Sequence, residues 1–158
     1  MAKVVSNTGP LIALAQIDQF DLLRRLFGDI LIPPAVRAEI QDETSATALT
    51  AAAWITIQPV RNILAAQLLQ EELNAGESEA ILLTQETGAA LILLDDRAAA
   101  RKARALGLRV MGTLGVLLLG KRANHLSALK PLLDELRERD FRMSAALYAQ
   151  VLRDAGEA

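Results

Sequence analysis

Leu91-Ile92-Leu93-Leu94 is an unbroken apolar run that ends at once in Asp95-Asp96-Arg97. Four residues are too few for a helix of useful length. A strand apolar on both faces must be covered on both faces, which is the condition of a parallel strand between two layers of helices. A parallel strand in turn needs a crossover connection from its neighbour, and that crossover is usually a helix. The run therefore predicts an α/β chain, and the rest of the sequence is read against that expectation.

The alternation extends over the first 120 residues. Val4-Val5-Ser6 reads as a short strand, stopped by Asn7-Thr8-Gly9-Pro10, which starts a helix with Thr8 or Gly9 near the cap and Pro10 in its first turn. Asp18 is expected to cap a second helix, with Phe20, Leu22, Leu23, Leu26 and Phe27 inward and Gly28 at its end. Asp29 to Ile32 is a second strand. Pro33-Pro34 breaks it and launches a helix that carries Glu39 about one turn in. Thr44 to Ala53 is an Ala/Thr helix, and Trp54 to Ile57 a third strand with alternating faces. Asn62 to Leu73 is a helix with Ile63, Leu64, Leu68 and Leu69 inward, and Asn74-Ala75-Gly76 a loop. Glu77 to Thr87 is apolar on most faces and so deeply buried. Arg97 to Leu106 is a helix with Gly107 at its end, Leu108 to Met111 the last strand, and Gly112-Thr113 the start of the next helix. Ser127 and Ser144 are expected to cap two final helices.

Strands alternating with helices indicate an α/β domain with a mainly parallel sheet. The chain of 158 residues is read as a single domain over 1–158, with a core over about 3–120 and a helical extension over about 121–158 that offers a partner surface. There is no repeat, linker or low-complexity segment. The absence of cysteine removes disulfides, zinc-thiolate sites and thiol nucleophiles, and suits a reducing cytoplasm. Met1 to Val5 has no long apolar region, so no signal peptide is expected, and no run approaches the roughly 18 apolar residues of a membrane span. A net charge of −2 gives no global field for nucleic acid, but Arg97, Arg101, Lys102, Arg104 and Arg109 are locally concentrated. The single His125 excludes His-rich metal sites.

The acids are placed unusually for so apolar a chain. In open parallel sheets, ligands bind beyond the carboxyl ends of the strands, near the switch point. Asn7 follows the first strand, and Asp95 and Asp96 follow the fourth. Glu77 opens the helix that feeds the fourth strand, and Glu39 lies in the helix after the second. All could converge on one rim. Oxygen-only ligands suit a hard cation such as Mg²⁺ or Mn²⁺. Neighbours on a helix are about 100° apart and neighbours on a strand point to opposite faces, so one primary ligand is expected from each of the pairs Glu77/Glu79 and Asp95/Asp96. The partner in each pair is then a cap or an ion-pair member.

Each of these residues also has a plain structural reading. Asn7 can order a turn. Glu77 and Glu79 suit a helix N-terminus electrostatically. Asp96 can cap the next helix. Glu39 stands near Arg37, Asp42 and Glu43 and can be solvated surface. Arg97, Arg101, Lys102 and Arg104 can be a solvated or paired helix face.

Val5-Ser6-Asn7-Thr8-Gly9-Pro10-Leu11-Ile12, the helix with Glu39, Gly76-Glu77-Ser78-Glu79-Ala80 and Leu94-Asp95-Asp96, taken as an ordered set, resemble the PIN-domain nucleases. The likeness is to a prokaryotic branch related to the VapC toxins, and it covers roughly residues 3 to 120. It implies a three-layer α/β/α fold and an acidic pocket for Mg²⁺ or Mn²⁺. It also implies cleavage of single-stranded RNA, often by a toxin neutralised by an antitoxin, and frequently a homodimer. Carried over position by position, Glu39, Glu77 and Asp95 match the family's second, third and fourth acids as metal ligands and catalytic residues. Thr8 matches the hydroxyl residue beside the first acid. Asn7 stands where the family usually has its first Asp. An amide oxygen can ligate a metal but removes one negative charge. Glu79 and Asp96 are secondary candidates, and Arg97 and Arg101, with Thr8, would guide the nucleic acid. Two readings follow: a metal-dependent endoribonuclease, or a catalytically weakened module of the same fold acting through protein or RNA partners. A phosphoacceptor domain is disfavoured, because the acids end the fourth strand and no lysine stands at a late strand end.

Overall fold

The computed structural model describes residues 3–158. The expectation for the leading residues includes Met1 and Ala2, which lie outside the described residues. The elements run β1 (Val4–Ser6), α1 (Thr8–Gln16), α2 (Asp21–Phe27), β2 (Ile30–Ile32), α3 (Pro34–Glu39), α4 (Glu43–Ala51), β3 (Ile55–Ile57), α5 (Ile63–Leu69), α6 (Ala75–Thr87), β4 (Leu91–Leu93), α7 (Arg97–Ala105), β5 (Val110–Met111), α8 (Thr113–Arg122), α9 (Lys130–Glu138) and α10 (Ala145–Asp154). The sheet is five-stranded in the order β3-β2-β1-β4-β5. Every pairing is parallel, with Val5 opposite Leu31 on one side and Ile92 on the other. The chain lays β2 and β3 to one side of β1, then crosses to the other side for β4 and β5. The switch point therefore falls between β1 and β4, and Asn7 N–H donating to Leu93 O at 2.9 Å closes the sheet at that point.

The unbroken apolar run behaves as its composition requires. Ile92 and Leu93 are fully buried, as is Val5 beside them. Helix α6 packs against β1 and β4, with α3 and α5 alongside it. Helices α1, α2 and α10 each contact α8 in a second layer, giving an α/β/α arrangement. Ile81 and Leu83 of α6 have no exposed surface. Truncating either to Ala would cost about 2–5 kcal/mol, the usual range for a buried aliphatic side chain. Gly88 ends α6 in the left-handed region at φ 65°, where a side chain would be strained.

Several local expectations are corrected. Asp18 does not cap α2. It takes φ 58° and turns the chain out of α1, while Gln19 N–H donates back to Leu14 O at 2.8 Å; Asp tolerates this conformation better than most residues. The N-cap of α1 is Asn7, directly before Thr8. Glu39 is the last residue of α3. Strand β3 is an edge strand whose Thr56 and Ile57 are both exposed, so its faces do not alternate in burial. Helix α5 is shorter than expected and turned: Ile63, Leu64 and Leu68 are 59–66% exposed, while Ala66 is buried. The inward stripe runs through Ala66 and Leu69 to Leu73, three and four residues apart, and the small Ala66 lets α5 lie close to α6.

Ser127 does not cap α9, which starts at Lys130. The free N–H groups there are satisfied from the far end of the chain: the Glu157 carboxylate accepts from Leu129 N–H at 2.7 Å and Lys130 N–H at 3.1 Å, and pairs with Lys121 Nζ at 2.8 Å. Leu129, Leu133, Leu136, Val151 and Leu152 join the same apolar cluster as β1 and β4. The last two helices are thus tied into the core. Ser144 caps α10 as expected, accepting from Leu147 N–H at 3.0 Å. No helix among the described residues is long and apolar enough to cross a membrane.

Candidate metal centre

Asn7 ends β1 at the switch point. Asn is among the best N-cap residues because its side-chain oxygen can accept from a free N–H of the first turn. Here it does not: Asn7 occupies the N-cap of α1 with no side-chain capping bond. Asn7 is buried, and its Oδ1 has no hydrogen-bond partner. A buried acceptor left without a donor is costly, so simple turn-making does not explain this side chain.

Of the next two residues, Thr8 bonds to one acid and Gly9 stands close to another. Thr8 Oγ1 donates to Glu39 Oε1 at 2.7 Å, and Gly76 N–H donates to Glu39 Oε2 at 2.8 Å. The last residue of α3 is thereby fixed to the first turns of α1 and α6. A Cβ on Gly76 would overlap the Glu39 carboxylate, so only glycine allows that approach. On the other side, a Cβ on Gly9 would lie 3.5 Å from Asp95 Oδ2. Asp95 Oδ1 accepts from Thr113 N–H at 2.7 Å, and its Oδ2 from Thr113 Oγ1 at 2.6 Å. Thr113 begins α8 directly after β5, which pairs with β4, so two adjacent strand ends fix this carboxylate. Gly112 is needed for the same reason as Gly76, since its Cβ would lie 2.8 Å from Asp95 Oδ1.

Glu77 is buried in the first turn of α6. It forms a capping box with Asn74: Glu77 N–H donates to Asn74 Oδ1 at 2.8 Å, and Asn74 N–H donates to Glu77 Oε1 at 3.2 Å. Burial pushes its carboxyl above the ordinary value; the Asn74 N–H opposes this, and the charges of Asp96 and Glu39 push the same way as burial. Those two repulsions put the Glu39 and Asp96 carboxylates within coulombic reach of Glu77. Asp95 is open to solvent at a concave mouth but has protein atoms packed around it, and this desolvation raises its carboxyl against the pull of the two Thr113 bonds. Among the described residues, no lysine or arginine forms an ion pair with Glu39, Glu77, Asp95 or Asp96.

The two secondary candidates have structural partners. Glu79 Oε1 accepts from Ala35 N–H at 3.1 Å, which satisfies a free donor at the start of α3. Asp96 caps α7 by accepting from Ala99 N–H at 2.9 Å. The basic face of α7 divides: Arg97 and Arg104 line a cavity with Asp95 and Asp96, whereas Lys102 pairs with Glu72 at 2.9 Å and Arg101 lines a separate depression with them. Sequence reading missed Thr113, Gly76 and Gly112. The only signal was their position just after a strand or at a helix start.

The donor set is all oxygen, carries no paired cation and includes one orphaned amide oxygen. That chemistry fits a hard divalent ion. Among the described residues, no group of three or more Asp, Glu or His side chains stands close enough together to hold an ion. Mg²⁺ does not need such a group, because it keeps several waters and binds through one or two carboxylates. The family model for the PIN domain matches residues 3–157, and the chain belongs to that family. The match runs through the last two helices, well beyond the stretch that carries the sequence likeness. The PIN domain is a nuclease-type fold, generally dependent on divalent metal and associated with nucleic acid. Among curated proteins, no match was found.

Proposed function

We propose that this chain is a metal-dependent endoribonuclease that hydrolyses phosphodiesters of single-stranded RNA. The observation that carries the reading is the unpartnered Asn7 Oδ1 at the switch point, followed by Thr8 and Gly9 lying against Glu39 and Asp95. Glu39, Glu77, Asp95 and Asn7 would hold Mg²⁺ or Mn²⁺, which supplies charge neutralisation at the phosphate and a more acidic water. The chain's own residues do the rest. Thr113 and Thr8 hold Asp95 and Glu39 in fixed orientations before substrate arrives, which limits reorganisation during the reaction. Burial raises the carboxyls of Asp95 and Glu77, so a metal held there would compete with a proton. Arg97 stands beside the acids to hold a phosphate of the incoming strand, with Arg101 further along α7.

The finer assignments belong to the same reading: a cytoplasmic VapC-like toxin, an antitoxin partner and a homodimer. The exposed Ile63, Leu64 and Leu68 of α5 supply an apolar surface that a second copy would cover. Asn7 favours a second reading, a module that binds RNA or protein with weakened catalysis, because the amide carries no charge. Incubating purified protein and Mn²⁺ with one RNA, presented single-stranded and then annealed, separates the two readings. Cleavage confined to the single strand supports the nuclease. Binding without cleavage supports the module.

A further inference from the structure

Beside the acids lies a cavity of about 600 Å³, between α7, β5, the start of α8 and the turn joining α9 to α10. Its size falls within the range of small-ligand sites, roughly 300–1,000 Å³. Asp95 and Asp96 stand on its rim. Its walls have two characters. Phe141, Leu147 and Leu114 are apolar, and Leu147 is 43% exposed. Arg97, Arg104 and Arg142 are cationic. Arg97 and Arg104 are seven residues apart on α7, hence two turns along one face, with the buried Ala100 between them as a flat floor. Arg142 reaches the same space from the opposite wall.

The charges decide what the cavity takes. Asp95 is held by Thr113 and Asp96 by Ala99 N–H, whereas among the described residues none of the three arginines forms an ion pair. An aromatic and two leucines facing three free guanidinium groups match a planar apolar ring attached to phosphate. We infer that this cavity is a nucleotide subsite: Phe141 and Leu147 pack against one base, and Arg142 and Arg104 hold the phosphate beside it. The inference rests on the nuclease reading for its placement, since a base seated here puts the strand's next phosphates over Asp95. It also gives the C-terminal extension a role, because Phe141 and Arg142 come from the turn between α9 and α10 and Leu147 from the start of α10.

The test measures binding without chemistry. The probe is a fluorescent 2′-O-methyl tetranucleotide, titrated in EDTA against the full chain by anisotropy, beside a version with all bases removed. The base-carrying probe is expected to bind the wild type about tenfold more tightly than the abasic one, as expected for one base packed on an aromatic ring. In Leu147→Asp, an exposed substitution that leaves the core intact, the two probes should bind alike. In Arg142→Glu both should weaken about tenfold. Equal binding of the two probes to the wild type, or unchanged affinity in Arg142→Glu, would overturn the subsite. If the base dependence holds but the enzyme never cleaves RNA in Mn²⁺, the nuclease reading fails and the subsite stands. If cleavage proceeds in Mn²⁺ with KM unmoved by Arg142→Glu, the subsite fails and the nuclease stands.

Discussion

Thr113 holds both oxygens of Asp95, one through its backbone N–H at 2.7 Å and the other through its hydroxyl at 2.6 Å. A residue two positions beyond β4 is therefore oriented by the first residue after β5 and Gly112. The hydroxyl bond can be removed without changing shape. Thr113→Val should lower RNA cleavage about 10–100-fold, the usual effect of losing a group that orients a metal ligand. It should also shift the rate profile. Desolvation raises the Asp95 carboxyl and Thr113 lowers it, so losing the hydroxyl raises it further and moves the acidic limb to higher pH. A lowered rate with an unmoved limb would mean that Thr113 serves packing alone.

Glu77 illustrates how the site costs stability. Burial raises its carboxyl, the Asn74 N–H opposes this, and Asp96 and Glu39 add to the rise. Above the ordinary value of 4.5, the folded chain keeps a proton that the unfolded chain has released, so stability falls as pH rises through that interval. Glu77→Gln keeps an oxygen for Asn74 N–H and removes the charge. At neutral pH it should stabilise by about 1 kcal/mol, or about 2–4 °C in Tm for a chain of this size. The gain should vanish below pH 4.5, where both states of the wild type are protonated. Thermal melts at pH 4 and pH 7 check it.

Asn7→Asp restores a charge beside Glu39 and Asp95. Without metal, the extra acid should lower Tm through repulsion. With Mn²⁺, calorimetry should give about tenfold tighter binding, as expected when a hard cation gains a carboxylate in place of an amide. Equal Mn²⁺ affinity in the two proteins would remove Asn7 from the ligand set.

Glu157 ties the last helices to the core. Desolvation raises its carboxyl, but the bonds from Lys121, Leu129 and Lys130 outweigh this, and the net shift is downward. Its contribution is therefore present above the ordinary glutamate range and is lost as pH falls through the lowered value. Glu157→Gln should cost about 1 kcal/mol, the typical worth of a helix cap. Denaturant titration at pH 7 reads the loss, and at pH 3 the two proteins should approach one another.

The sheet was legible because its central strands are almost wholly apolar, with Ser6 the one polar residue among β1, β2 and β4. Leu91 to Leu94 admits little besides a strand covered on both faces, and the Gly and Pro punctuation around it marks the crossovers. The positions of Asn7 and Asp95 were legible, since they follow the two strands that flank the switch point. Two kinds of feature were not legible. Helix α5 was oriented by its largest residues, although the buried stripe follows Ala66 and Leu69, because the space available was set by α6. The Thr113–Asp95 and Glu157–Leu129 contacts join residues 18 and 28 positions apart, and no local pattern encodes them. Asn74 has the look of a loop residue in the sequence because its cap is complete only with Glu77, an acid that thereby also serves the helix.

The most direct measurement follows Tm and RNA cleavage together across a Mn²⁺ titration, for wild type and Asp95→Asn. In the wild type, Tm should climb as metal binds the folded state, by about 5–10 °C at a hundredfold excess over Kd. Cleavage of a single-stranded RNA should saturate over the same concentrations, and both responses should be absent in Asp95→Asn. Cleavage that persists in EDTA, or that Asp95→Asn leaves intact, would contradict a metal-dependent nuclease centred on these acids.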